Sequence, residues 1–388
     1  MVIMKIGINA SFIRKASTGI GQVSINFLKE LAQFPDDIEF VLYLEEDLPR
    51  GIKLPKNFTK NIFLPFWKRD DLLRKIWWEK YALPKKIKQD GCDVFLSLYQ
   101  CPTVTTIGVK HIMLVHDIIP RLFPQYLNNP RKQIYWALTE RAIGRADKVL
   151  VISSRTEKDL INQLGIDAQK ITVNYIDVDE IYKKDIPANT ISTVLKKYKL
   201  KPSYIYNGGG LEVRKNTEGV IRAYKYLLEK NSQEHFLQDF PKLVISGKLM
   251  PNLAPLVTDV TRLVRELNLT KNVVVLDFVP QKDLPTLYSQ ASVFVYPSHY
   301  EGFGLPVLEA MNVGTSVITS KKSSLPEVGL DSILYCNPND VADIAMVMKN
   351  VLTNSELRAT LIKRGKQRAE YFSWQKFTDK VMHVARNL

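Results

Sequence analysis

The chain has 388 residues, 45% of them hydrophobic and 24% charged, which excludes an extended disordered polymer and predicts a compact fold. A single core stops growing at roughly 250 to 300 residues, so two domains are expected. The formal charge of +14 calls for an anionic partner among nucleotide phosphates, a lipid-linked phosphate, an acidic bilayer surface and nucleic acid, and charge alone does not choose.

The opening MVIMKIGINASF reads as a first buried strand and not as a signal peptide, because Lys5 interrupts the apolar run and no small-residue cleavage site follows. Short β-branched runs then alternate with amphipathic segments of helix length, the pattern of doubly wound α/β domains. The first half predicts strands over 3–8, 38–44, 93–98, 111–115 and 147–152, with helices over 21–34, 71–88, 131–144 and 154–164. A polar stretch, KKDIPANTISTVLKKYKLKPS, breaks the periodicity at Pro187 and Asn189 and places a domain boundary near 180–200. The register restarts with strands in YIYNGGG, PKLVISG, NVVVLDF, SVFVYPS, TSVITS and SILYC, and helices over 354–371 and 374–386 end the chain. The predicted domains are 1–185 and 200–372. Two parallel sheets of this kind would face each other across a cleft, where open α/β sheets place ligands.

No window approaches the roughly 18 uninterrupted apolar residues of a membrane span. Cys92, Cys101 and Cys336 lack the spacing of a disulfide framework or a zinc site, so a reducing cytoplasm is expected.

The densest chemistry lies in Ser298-His299-Tyr300-Glu301-Gly302-Phe303-Gly304-Leu305-Pro306-Val307-Leu308-Glu309-Ala310. This run leaves a strand, passes two glycines and enters a helix marked by Pro306 at its first position. Gly302 and Gly304 let backbone N–H groups approach a ligand, and the helix start adds partial positive charge, an anion site suited to a diphosphate. Glu309, one turn in, can accept hydrogen bonds from adjacent ribose hydroxyls, while Glu301 points at the sugar end. A second loop, Tyr206-Asn207-Gly208-Gly209-Gly210-Leu211-Glu212-Val213-Arg214-Lys215-Asn216, offers another close approach at Gly209 and Gly210. Lys215 there can neutralise charge growing on a departing nucleoside diphosphate.

In the first half, Gly19 and Gly21 occupy a strand-to-helix loop that enters a helix at about Gln22. His116 and Asp117 follow the strand HIMLV. His116 is read either as a donor to a sugar hydroxyl or as a satisfied structural histidine, without the role of general base, and Asp117 as orienting or accepting from the acceptor. Arg155, behind a cap at Ser153 or Ser154, is read as structural.

EGFGLPVLEAM resembles the Glu-x7-Glu motif of glycosyltransferase family 4, whose members have the GT-B fold of two doubly wound Rossmann-like domains. The resemblance implies a metal-independent, retaining transferase of hexoses from a nucleotide-diphosphate sugar. Glu309 would hold the ribose and Glu301 the donor sugar. The backbone of Gly302, Phe303, Gly304 and Leu305, with Gly209 and Gly210, would line the diphosphate, and Lys215 would ease its departure. Catalytic roles fall to Glu301, Lys215 and His116. The family's usual arginine after the glycine is replaced by Gly210, and Arg214, displaced from it by several residues, is the candidate substitute among the donor-binding residues. Ser323-Ser324-Leu325-Pro326-Glu327-Val328 resembles the family's Pro-Glu-Val turn and is read as support for the glycine loops. Gly19 and Gly21 match the N-terminal glycine loop, and the last helix, 374–388, is expected to return to the N-terminal, acceptor-side domain as in relatives. HDIIPRLFPQYL looks like bacterial surface-polysaccharide members, so GDP-mannose is the first candidate donor, UDP-sugars the next, and a glycan or lipid-linked glycan the acceptor. No cofactor or metal is implied. The one clean Asp-x-Asp, Asp177-Val178-Asp179, falls in the region leading to the linker.

Segment 67–88 mixes Trp67, Trp77 and Trp78 with cations. It reads either as a helix packed on the sheet or as peripheral contact at the inner face of the membrane. Two rivals complete the field. A nucleotide-sugar epimerase on the same architecture would need a carboxylate and histidine placed for elimination, and a nucleic-acid-binding protein would need a continuous basic stripe that these dispersed cations do not form.

Overall fold

A computed structural model of the protein describes residues 4–34, 37–49, 51–63 and 71–388. It divides into two units, the first made of Met1–Asp177 and Ser373–Leu388, the second of Val178–Phe372. The division lies at Asp177, ahead of the polar stretch from which a boundary is expected. That stretch is not a linker: Ala188–Tyr198 forms a helix of the second unit that buries Val194 and Leu195. Its lysines occupy the exposed face, which is why the segment looks polar as a string.

In the first unit, β1 (Met4–Asn9), β2 (Ile38–Leu44), β3 (Phe58–Ile62), β4 (Val94–Ser97), β5 (Lys110–Val115), β6 (Lys148–Val151) and β7 (Ile171–Val173) form one sheet in the order β3-β2-β1-β4-β5-β6-β7. All pairings are parallel, with Ile6 opposite Phe40 on one side and Val94 on the other. Central strands such as β4 and β5 are buried almost throughout, as sheets covered on both faces require. The two strands with no sequence prediction are the edges: β3 carries the polar FTKNI and β7 only three residues. The helix Trp374–Arg386 belongs to this unit. Phe377 lies edge-on to Phe27 with centroids 5.7 Å apart, and Asn174 Nδ2 donates to its carbonyl at 2.9 Å.

The second unit repeats the scheme with β8 (Tyr204–Asn207), β9 (Leu243–Ser246), β10 (Val273–Leu276), β11 (Ala291–Tyr296), β12 (Val317–Ser320) and β13 (Leu334–Cys336) in the order β10-β9-β8-β11-β12-β13. In each sheet the first strand lies between its successor and a later one, so the strand order reverses there. The carboxyl ends flanking that switch are where such sheets bind ligands. For the second unit these are the ends of β8 and β11, the two strands that launch the glycine-containing loops.

Segment 71–89 is helical in three pieces, Asp71–Trp77, a π-helical turn Trp78–Ala82, and Leu83–Gln89. The expectation that its tryptophans pack on the sheet holds for Trp78, which is fully buried and donates to the Phe63 carbonyl at 2.9 Å. Trp77 is exposed instead, on a stripe with Leu73 and Tyr81 at four-residue spacing. Trp67 lies outside the described residues. No described helix is long and apolar enough to cross a membrane.

Candidate active site

The loop after β8 turns at Gly209 and Gly210, with φ of 95° and 113°, where side chains are strained. A Cβ on Gly209 would sit 2.8 Å from Pro306, so this glycine lets the β8 loop meet the helix that follows β11. That helix spans Leu305–Val313 and starts from Gly304 at φ 115°, with Pro306 as its second residue and not its first. Gly302 and Gly304 thus form the turn into a helix start, with Phe303 turning its ring inward against Phe372, centroids 5.6 Å apart.

Arg214 ties the two loops together, a role with no signal in the sequence. Its carbonyl accepts from His299 N at 2.7 Å and Ser298 Oγ at 3.0 Å, and its guanidinium donates to the Tyr300 carbonyl at 2.7 Å. The same guanidinium lies 2.8 Å from Glu301 Oε1 and 3.7 Å from Glu212. It is therefore no free replacement for the arginine that Gly210 lacks: its charge is held by the carboxylates. Glu301 Oε1 also accepts from Tyr296 Oη at 2.7 Å and Ser298 Oγ at 3.0 Å. These contacts all fall on one oxygen and leave Oε2 for a ligand. Burial alone would raise the Glu301 pKa, but Arg214, then Lys215 and the Tyr296 hydrogen bond outweigh it, and the carboxyl is held below its ordinary range.

Lys215 is buried at the end of the 3-10 turn Val213–Lys215, donates to the Gly209 carbonyl and lies 3.5 Å from Glu212. Its charge is already on the glycine loop where a diphosphate would be met. Glu309 is partly buried and accepts from Tyr288 Oη at 2.8 Å. Its environment works the other way: burial pushes it up to about 7, against hydrogen bonding by Tyr288 and Tyr182 and the charge of Lys215. Ser324 Oγ donates to the carbonyls of Glu301 at 2.9 Å and Phe303 at 2.7 Å, so the Pro-Glu-Val turn braces the glycine loop.

In the first unit, Gly19 and Gly21 lie inside the first turn of the helix Gly19–Leu31, not in a loop ahead of it, because Thr18 caps the helix by accepting from Gly21 N. His116 is buried, and burial pulls it down to about 4. It is therefore neutral, and since Nε2 lies 2.9 Å from the Leu98 carbonyl, which can only accept, the proton sits on Nε2. The expected donation to a sugar hydroxyl is corrected on this ground: Nδ1 is left, and it can only accept. Asp117 Oδ1 accepts from Ile119 N at 3.0 Å, at the first residue of the short helix Ile119–Leu122. Ser153 is the cap of the helix Ser154–Leu164, and Arg155 pairs with Asp159 at 2.9 Å. Asp179 caps a turn through Ile181 N, and among the described residues no cluster of three or more His, Cys, Asp or Glu is arranged to hold a metal.

Residues 17–180 match the family described as Glycosyltransferase Family 4, and residues 191–368 the family described as Glycosyl transferases group 1. The chain belongs to glycosyltransferase family 4. This transferase is 29% identical to O-antigen chain mannosyltransferase B of Escherichia coli over 99% of its own length and 100% of that protein's. It is 30% identical to the serotype-specific mannosyltransferase WbdA of Escherichia coli over 68% of its length, and spans about a third (32%) of that longer protein. Among solved structures, Anabaena HepE superposes with a TM-score of 0.73 at 16% identity, covering all of both chains. The architecture is GT-B.

Proposed function

We propose that the protein moves a hexose from a nucleotide-diphosphate sugar to a glycan or lipid-linked glycan, with retention at the anomeric carbon. Mannose from GDP-mannose is the first candidate, supported by the names of the two Escherichia coli relatives. UDP-sugars come next, supported by the UDP and glucose bound in the HepE structure. Membership of a glycosyltransferase family favours this reading over an epimerase or a nucleic-acid binder.

The observation that carries the reading is the pair of carboxyls either side of the glycine turn, Glu301 paired with Arg214 at 2.8 Å and Glu309 buried against the Tyr288 phenol, surroundings that push the two in opposite directions and so separate two roles. Glu301, ionised and clamped by Arg214, offers Oε2 to sugar hydroxyls. Glu309 takes the ribose diol. As the anomeric C–O bond breaks, charge collects on the leaving diphosphate, and Lys215 with the backbone N–H groups at the turn offsets it without a metal. His116 accepts a sugar hydroxyl through Nδ1. Asp117 acts on the acceptor side.

A panel of nucleotide sugars, followed by release of the nucleoside diphosphate, tests this. Consumption of GDP-mannose or a UDP-sugar in the presence of EDTA, lost in Glu301→Ala, supports the reading. A strict manganese requirement overturns the metal-free step, and no turnover of any nucleotide sugar overturns the whole.

Peripheral contact with an anionic membrane on the cytoplasmic side is the matching proposal for the first unit. The exposed Leu73, Trp77 and Tyr81, followed by exposed Lys85 and Lys88, support it. Sedimentation with phosphatidylglycerol vesicles should fall when Trp77 and Tyr81 become serine, and an unchanged bound fraction removes the proposal.

A further inference from the structure

Tyr182 ends the short turn Glu180–Tyr182 at the start of the second unit and is only 1% exposed. Its hydroxyl is buried, and the polar group it addresses is the Glu309 carboxyl, which it meets in imperfect hydrogen-bond geometry, a state rare enough to require a reason. The ring packs edge-on to Tyr288, with centroids 6.2 Å apart. Tyr288 Oη donates to Glu309, and the Tyr182 hydroxyl is directed at the same carboxyl, where its interaction favours the ionised form. Asp179 fixes the turn by accepting from Ile181 N, so the phenol is held in place beside the carboxyl.

We propose that Tyr182 is a positioning residue for nucleoside recognition: once Glu309 is ionised and gripping a ribose, the Tyr182 hydroxyl donates to it beside Tyr288, leaving the remaining lone pairs for the two sugar hydroxyls. The inference rests on the reading that Glu309 receives the ribose. Burial pushes Glu309 up to about 7, so part of it is protonated before ligand arrives, and a phenol that donates to the carboxylate favours the ionised form. The groups facing that carboxyl are the Tyr288, Tyr182 and Tyr206 phenols, Lys215, whose charge promotes ionisation, and Asp179, whose charge opposes it. Nucleotide binding should then release a proton and tighten as pH rises towards about 7.

The test is calorimetric titration of the full chain with GDP-mannose and UDP-glucose from pH 6.0 to 8.5, a range in which a pyrophosphate diester does not titrate. Wild-type affinity should climb with pH and level off. A hydrogen bond to a charged group corresponds to about one pH unit, so Tyr182→Phe should bind about tenfold more weakly at pH 6.5, level off about one pH unit later, and approach wild type at pH 8.5. Tyr288→Phe should shift the profile in the same direction. A Tyr182→Phe profile that superimposes on wild type, or lies below it by the same factor at every pH, overturns the inference. If wild type binds neither donor, or Glu309→Gln binds as wild type does, the functional reading itself fails and takes this one with it.

Discussion

Replacing Glu309 by glutamine should make the protein more stable at neutral and alkaline pH while removing the group assigned to the ribose. The fold pushes this carboxyl from an ordinary 4.5 up to about 7, mainly through burial, so ionising it in place costs about 3 kcal/mol. The sign follows from linkage. Below pH 4.5 the carboxyl is protonated folded and unfolded, and its favourable neutral contacts count in full. As pH rises the unfolded chain releases the proton first, stability declines, and the loss is complete once pH has passed 7. Glutamine never ionises and still accepts from Tyr288, so the variant should match wild type near pH 5 and exceed it by up to about 3 kcal/mol at pH 8. The assay must report the right unit. All five tryptophans, at 67, 77, 78, 136 and 374, lie outside Val178–Phe372, so tryptophan fluorescence follows the wrong one. Hydrogen exchange of a peptide covering Ala291–Tyr296 follows the second unit's core, and its slowest amides should exchange about two orders of magnitude more slowly in the variant at pH 8. Equal exchange at pH 8, or the same difference at pH 5 and pH 8, refutes the assignment of a raised pKa to Glu309.

Other substitutions separate holding from chemistry. Arg214→Ala strips a buried carboxylate of its cation and should cost about 3–5 kcal/mol by urea unfolding of the second unit, whereas Lys215→Ala should leave the fold intact and lower turnover by roughly 10²–10³. Phe377→Ala removes a ring that is 1% exposed between Phe27 and Trp374 and should cost about 3–5 kcal/mol in the first unit, read by tryptophan fluorescence. A loss below about 1 kcal/mol would mean that the C-terminal helix is not needed to complete that core.

What the string of residues discloses depends on how local the physics is. β2 and the helix Ser154–Leu164 fall where periodicity and capping put them, because burial of both sheet faces and a serine cap leave a mark within a few positions. The edge strands leave none: β3 is polar because half of it faces solvent, and its pairing partner β2 is distant in sequence. Ala188–Tyr198 was obscured by the lysines on its exposed face, with only Val194 and Leu195 turned inward. At the site, Glu301, Glu309, Lys215 and the glycines declare themselves through one contiguous motif each. Tyr182 and Tyr288 do not, since their relevance arises only when segments far apart in sequence are folded together.

The same distinction explains why one motif yields two unlike carboxyls. Spacing alone sets Glu301 and Glu309 eight residues apart around a helix start and treats them as equivalent. The difference comes from elsewhere: Arg214, brought by the β8 loop, stands 2.8 Å from Glu301, while Glu309 meets phenols, with Lys215 and Asp179 acting on it through their opposing charges. Gly210 belongs to this account. A side chain there would sit 2.8 Å from Glu212 and 3.3 Å from Lys215 Nζ, crowding the two groups that flank Arg214's loop. The missing arginine at 210 and the buried arginine at 214 are thus two sides of one arrangement, in which the cation is held by Glu301 and, in the proposed mechanism, Lys215 with the backbone N–H groups is left to meet the departing diphosphate. Gly210→Arg should therefore not improve turnover by adding a second cation. It should displace Lys215 and lower kcat with little change in the Arg214–Glu301 pair, and a faster variant would show that the leaving group was short of positive charge.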